Sequence, residues 1–370
     1  MAEAINLALG TYREGDRGLP VRTKIRPMVD SGSVLITGTP GSGKSVMGQW
    51  LICQLARQGI PVIAIDLRST LTGDQFFSPL QKELVHWAKR YDLYTGHLYC
   101  PLFRPTIFKD GTAETEYDAA AAIASILADH CRFGSRQRSI LADACETVIQ
   151  SASYGQWGIA AVKHALENLT SKGALEVSHR LRSLLLHNPF VDGPWLYTTP
   201  NIHIFDLSKY ANDQPTQASI AELILFYLWK QMSSAKEQTP VYLYCDEFQN
   251  IGLRRSGVLG KILTEGRKFG LNVILITQSL AMNFSPEEQQ LLLQIPYSLV
   301  FHPAGREADR WSKTLSPPES RHEMTQLMKN LPRGSYVLSG PVYLGEEQQC
   351  TSEAIQVVAD LTEEPEKGLV

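Results

Sequence analysis

The sequence predicts an α/β fold: a twisted, mainly parallel sheet with helices on both faces, carrying an inserted all-helical subdomain. Three observations lead there. Short continuous apolar runs alternate with helical patterns along most of the 370 residues. The stretch "VLITGTPGSGKS" joins one such run directly to a helix. Between about residues 110 and 190 the strand pattern gives way to helical spacing alone.

Taken in order, "INLALG" and "LPVRTK" are strand-like pieces with glycines between them. Ser33 to Thr37 is continuous, β-rich and short, as a fully buried strand is. A helix follows from Ser45 to about Gln58, and Gly59 supplies its stop. Ile60 to Leu67 is a second buried strand, completing a strand–helix–strand unit of the parallel kind. Further strands are expected at Asn201 to Leu207, Pro240 to Asp246, Leu271 to Thr277 and Tyr297 to His302. Helices near Ser219 to Ser233, Ser256 to Lys268 and Pro286 to Gln294 separate them. "EYDAAAAIASILADHC", "SRQRSILADACETVIQSAS", "IAAVKHALENLTS" and "ALEVSHRLRSLLLH" form the insertion, bounded by "CPLFRPT" and "NPFVDGPW". The expected organisation is a discontinuous sheet domain at 1–109 and 191–345, a helical insertion at 110–190 and a loose acidic tail at 346–370. No internal repeat is visible.

Composition bounds the function. The net charge of −3 exerts no global pull on nucleic acid, so contact with a polyanion needs a local basic patch. Six cysteines lack any C-x-x-C pair, the usage of reduced, buried thiols in a cytoplasmic protein. His130 beside Cys131 is a lone pair on a helix, better placed in core or surface than on zinc. "MAEAINLALG" lacks the basic start and apolar run of a signal peptide. The most apolar helix, "ASIAELILFYLWKQ", carries Glu222 and is too short to span a bilayer. A soluble chain without a transmembrane segment is expected.

Gly38-Thr39-Pro40-Gly41-Ser42-Gly43-Lys44-Ser45 fits G-x-x-x-x-G-K-[ST] at every fixed position. Glycines let backbone N–H groups turn inward around phosphates, and the helix that begins beside Ser45 and Val46 points its positive end at the same anion. Lys44 would reach the β- and γ-phosphates, and the Ser45 hydroxyl would ligate Mg²⁺. Such a match arises by chance in roughly a few per cent of chains this long. Its position after a buried strand and before a helix is the context that phosphate binding requires. The stretch is read as holding ATP.

"VYLYCDEFQNIG" ends a strand with Asp246-Glu247. The aspartate suits Mg²⁺, and Glu247 suits polarising a water for attack on the γ-phosphate. An acidic pair that merely ends a strand is the alternative, weaker beside an intact phosphate loop. Gln278 follows another buried strand, where it could contact the γ-phosphate or simply bond backbone. Arg267 and Lys268 close a helix before Gly270, where cations meet the negative helix end. Alternatively, Arg267 serves a neighbouring subunit as an arginine finger.

The phosphate loop, "YLYCDEFQNI", "EGRKFGLNVILITQ" and "LPRGSYVL" together resemble the HerA–FtsK superfamily of ring-forming DNA-pumping ATPases. Within it they are most similar to the coupling proteins of conjugation and type IV secretion. The resemblance implies a RecA-like P-loop NTPase. It makes Lys44 and Ser45 the triphosphate and Mg²⁺ residues, with Asp246 on the metal. Glu247 becomes the base, Gln278 the sensor and Arg267 a finger acting in trans. It likens the insertion to the all-alpha domain of coupling proteins. Three features depart from the pattern: no N-terminal membrane helices, no room for a β-barrel before the loop, and Asp66-Leu67-Arg68-Ser69 in place of an Asp-Pro-Lys-Gly-like turn. Asp66 is accordingly a weak candidate that suits capping a turn equally well.

The leading expectation is therefore an ATP-driven ring, six subunits around a DNA channel, with relaxase or secretion proteins as further partners. Arg68 to Gly73 and Asn283 to Ser285 are candidate channel loops. Arg254 with Arg255, and Arg132 with Arg136 and Arg138, are candidate phosphate contacts, though each cluster taken singly reads better as a solvated helix face. The alternatives are an ATPase adaptor that recruits a protein and a non-motor P-loop switch.

Overall fold

The computed structural model describes residues 3–169, 171–254, 257–345, 349–351 and 353–361. Its strands are β1 (Ile5–Glu14), β2 (Arg17–Ile25), β3 (Val34–Thr37), β4 (Val62–Asp66), β5 (Ala88–Asp92), β6 (Leu98–Tyr99), β7 (Phe190–Val191), β8 (Ile202–Asp206), β9 (Val241–Asp246), β10 (Leu271–Thr277), β11 (Tyr297–Phe301), β12 (Ser335–Ser339), β13 (Val342–Leu344), β14 (Gln349–Thr351) and β15 (Ile355–Val358). All but β6 and β7 join one 13-stranded sheet in the order β14-β13-β2-β1-β15-β12-β11-β3-β10-β9-β4-β8-β5. From β11 to β5 every neighbouring pair is parallel. From β11 outward to β14 every pair is antiparallel. The fold is α/β and RecA-like, with β3, β4 and β8 to β11 where the apolar runs predict them; the parallel edge strand β5, "AKRYD", is polar and half-exposed and was not expected.

The helices are α1 (Lys44–Arg57), α2 (Gln81–Trp87), α3 (Glu116–His130), α4 (Ser135–Gln150), α5 (Tyr154–Trp157), α6 (Ala161–Asn168), α7 (Lys172–Arg180), α8 (Arg182–His187), α9 (Gln214–Ser234), α10 (Val258–Glu265), α11 (Leu280–Asn283), α12 (Pro286–Leu292), α13 (Gly305–Leu315) and α14 (Arg321–Lys329). The two-residue period of a strand decides which helices each strand face meets. Val34, Ile36, Val62 and Ala64 pack with Trp50, Leu51 and Leu55 of α1. Leu35, Ile63 and Ile65 face the other way, into a core that includes α9 and the insertion helices. That core is continuous from Leu243 and Leu275 of the sheet through Ile220 and Ile224 to Ile123, Leu141 and Val177. The insertion, α3 to α8, thus shares its core with the sheet. Sandwiched between them, α9 is buried on nearly all sides. A mostly buried ion pair, Lys230 Nζ to Glu114 Oε2 at 2.7 Å, ties α9 to the segment that enters the insertion.

The loose tail expected from 346 onward needs correction: β15 lies inside the sheet, between β1 and β12. The residues from 362 onward, like Arg255 and Ser256, lie outside the described residues. Cys53, Cys100, Cys131, Cys145 and Cys245 are buried. His130 Nε2 lies 2.5 Å from Glu222 Oε2, an ion pair when the imidazole is protonated. Among the described residues no helix is long and apolar enough to cross a membrane.

Candidate nucleotide site

Three parallel strands, β3, β10 and β9, lie side by side and end at one edge of the sheet. The turn after β3 is Gly38 to Gly43, and α1 begins at Lys44. Gly43 has φ 114°, a left-handed conformation that admits glycine at little cost. Gly38 has φ 144°, and a Cβ there would stand 2.5 Å from the Phe301 carbonyl oxygen. Thr39 fixes the turn further: its N–H and hydroxyl donate to His302 O at 3.1 and 2.8 Å. The Ser42 hydroxyl donates back to Thr39 O at 2.8 Å.

Lys44 is buried, and its ammonium donates to Thr39 O at 2.8 Å. No carboxylate pairs with it among the described residues, and burial lowers its pKa despite the nearby Asp246 and Glu247. A buried cation held by a neutral carbonyl is short of counter-charge, which a triphosphate supplies. At the next residue, the Ser45 hydroxyl donates to Asp246 Oδ2 at 2.7 Å. Burial, the largest influence, raises the Asp246 pKa; the Ser45 bond opposes it. A hydroxyl and a carboxylate in contact are the hard oxygen donors that Mg²⁺ prefers, so these residues fit that ion. Val46 and Ser45 line an adjoining cavity of about 550 Å³ with Gln49, Arg68, Thr70 and Gln75.

Glu247 is left-handed at φ 57°, a conformation costing about 1–2 kcal/mol outside glycine. Strain of this kind concentrates at functional sites. Both of its carboxylate oxygens are held by amides: Gln278 Nε2 donates to Oε1 at 2.7 Å, and Gln249 Nε2 donates to Oε2 at 2.5 Å. Gln249 in turn accepts from the Thr277 hydroxyl at 2.9 Å, and Asn283 Nδ2 reaches that hydroxyl at 3.2 Å. Gln249 was missed by sequence reasoning. It sits in a short 3₁₀ turn, Phe248–Asn250, that folds it back toward Glu247.

The structure thus brings together Gly38, Thr39, Pro40, Gly41, Ser42, Gly43, Lys44, Ser45, Val46, Asp246, Glu247 and Gln278. It does not bring Arg267 to them. That residue precedes β10, whose seven residues span about 20 Å, and its guanidinium donates to Val29 O at 3.4 Å. Asp66 caps its own turn, accepting from the N–H groups of Arg68, Thr70 and Leu71 at 3.0–3.2 Å. Arg138 and Arg254 share Asp129 as a partner, while Arg136 is exposed.

The comparisons bear on the fold. VirB4 of Thermoanaerobacter pseudethanolicus superposes with TM-score 0.70 at 14% identity, covering 97% of this chain and 96% of that one. The bacterial conjugative coupling protein TrwB, lacking its first 70 residues, gives TM-score 0.60 at 15% identity over 90% and 85% of the two chains. TrwB bound to the non-hydrolysable ATP analogue ADPNP matches equally, 0.60 at 15% identity over 90% and 86%. TrwB has also been solved with ADP and Mg²⁺, at TM-score 0.57, 15% identity and coverage of 90% and 85%. No protein-family model matches the chain, and no curated protein matches its sequence. At these identities the likeness defines a fold, that of VirB4 and TrwB.

Proposed function

We propose that this chain is an ATP-hydrolysing motor of the coupling-protein kind, active as a ring of about six subunits and acting on DNA at the cytoplasmic side of a conjugation or secretion machine. One observation carries the reading: an ammonium without a counter-ion, a hydroxyl–carboxylate pair and a second carboxylate converge where three parallel strands end. Lys44 and the loop N–H groups bind the triphosphate, and Ser45 and Asp246 hold Mg²⁺. The ion, when bound, neutralises charge developing on the β- and γ-phosphate oxygens. Glu247, turned away from Asp246 by its left-handed backbone, takes the proton of the attacking water. Gln278, bonded to that carboxylate, orients the same water.

Arg267 fits only a neighbour's site, since about 20 Å of strand separates it from its own. A ring would place it across the interface, where it stabilises transition-state charge. Relaxase or secretion proteins are the partners such a motor would serve, met through the insertion. The test is steady-state ATPase with and without DNA, over a range of protein concentrations. Turnover per subunit should rise with assembly and with DNA. Mixing Arg267→Ala with an Arg267-intact, Lys44-defective partner should restore activity in mixed rings. Concentration-independent turnover, or failure of that rescue, overturns the ring and the finger.

A further inference from the structure

Two basic stretches that lie far apart in sequence, around Arg132 and Arg254, meet on one cleft of about 770 Å³ between the insertion and the sheet domain. Its insertion wall is the end of α3 with Arg180 at the end of α7. Its other wall is α9, the turn 249–252 and α10. Arg132, Arg180, Arg254 and Lys261 line it, and all are exposed. The lining carboxylates are Asp129 and Glu222, and both are engaged. Asp129 pairs with Arg138 and Arg254, and Glu222 faces His130. Among the described residues, Arg132, Arg180 and Lys261 have no carboxylate partner.

Cations left unpaired on one rim repel each other and draw in anions. They come from three separate elements and stay solvated, unlike the convergent, buried donors that hold one small anion. A ligand with regularly repeated charge suits such a rim better. Two further lining residues reach the nucleotide site. Gln249 donates to Glu247 Oε2 at 2.5 Å, and Asn250 Nδ2 donates to Glu247 O at 3.1 Å.

We propose that this cleft binds the sugar–phosphate backbone of a nucleic acid through Arg132, Arg180 and Lys261, and that Gln249 relays its occupancy to Glu247. The binding half stands without the hydrolysis reading; the relay half rests on it. Fluorescence anisotropy with labelled single-stranded and duplex oligonucleotides tests the first. The triple variant Arg132→Gln, Arg180→Gln, Lys261→Gln should bind at least about tenfold more weakly. Its log–log salt slope should be shallower by about 2–3, since each phosphate contact contributes about 0.7–0.9. If the triple variant loses its wild-type thermal midpoint, Lys261→Gln alone should still lower the slope by close to one contact. Wild-type affinity and slope in the variants, or binding of ATP or a protein partner but of neither oligonucleotide, overturns the site.

For the relay, Gln249→Ala should keep oligonucleotide affinity and the KM for ATP while losing the oligonucleotide-driven rise in kcat. Stimulation that persists overturns the relay. A wild-type protein that binds oligonucleotide yet turns over no ATP refutes the hydrolysis reading and, with it, the relay, but not the cleft.

Discussion

In the parallel half of the sheet, strand ends carry chemistry: Asp246 closes β9, Glu247 follows it, Gln278 follows β10, and the phosphate loop springs from β3. The antiparallel half, β12 to β15 with β1 and β2, carries none of these groups and grips the same loop and helix from behind. Gln54 of α1 bonds both the N–H and the C=O of Ala8 in β1, at 2.7 and 3.0 Å. Trp50 Nε1 donates to the same carbonyl at 3.0 Å. Gly334, at the start of β12, donates to Ser42 O at 3.1 Å and accepts from Ala359, just past β15, at 2.9 Å. Parallel strands feeding helices leave their polar ends at one edge, where a ligand can meet them. Antiparallel strands pair with each other and stay structural. Substitutions in the first half should cost turnover, and those in the second should cost stability.

The largest separation is expected at Glu247→Gln. Losing a general base lowers kcat by about 10²–10⁴-fold, with ATP binding and thermal midpoint retained. Single-turnover kinetics beside equilibrium binding of a fluorescent ATP analogue check it, and normal turnover refutes the base assignment. Next is Lys44→Ala. A charge-assisted bond worth about 1.5–3 kcal/mol corresponds to affinity roughly 10–100-fold weaker, read by the same titration.

How visible this contrast is in the sequence follows from how each half is buried. The inner parallel strands are covered on both faces, so "VYLYCD" and "LNVILIT" are almost continuously apolar and were readable to within about a residue. The antiparallel strands at the chain's end are short, and their partners are remote. Tyr336 bonds the Leu9 carbonyl across 327 residues, a pairing that no local pattern announces. Helix α13, "GREADRWSKTL", buries Glu307, Ala308, Trp311 and Ser312, and with two polar residues on that stripe apolar spacing alone does not mark it. At the site, motif residues were legible because phosphate chemistry restricts their type and spacing. Gln249 was not, because its role depends on the left-handed turn at Glu247.

Gly38→Ala tests the border between the halves. The new methyl meets the Phe301 carbonyl at a φ that alanine rarely adopts. A loss of about 1–3 kcal/mol, together with impaired nucleotide binding, is expected in thermal melts and titrations. Tyr336→Phe should act on stability alone. The register of β1 against β2 shifts between Ala8 and Gly10, leaving the Leu9 carbonyl to accept from the Tyr336 hydroxyl. Removing that buried donor costs about 1–3 kcal/mol. Turnover per folded molecule should not change; a drop in kcat at temperatures well below the melt would break the division between halves.

The smallest effect has the opposite sign. The Asp246 carboxyl has its pKa raised above the usual carboxylate value, chiefly by burial. A carboxyl whose folded pKa exceeds its unfolded one contributes stability below the unfolded pKa, lost as pH rises through the folded pKa. At neutral pH the nucleotide-free protein therefore bears the cost of a buried anion. Asp246→Asn removes that charge and keeps an acceptor for the Ser45 hydroxyl. Its thermal midpoint without nucleotide should rise by on the order of a few degrees at neutral pH, the gain shrinking as pH falls toward about 4. Stabilisation by an ATP analogue with Mg²⁺ should weaken in the same variant, and chelating the metal should weaken it in the wild type. A variant that melts lower without nucleotide would mean that the carboxylate is satisfied by its surroundings, so that the parallel half holds no charge in wait for a metal.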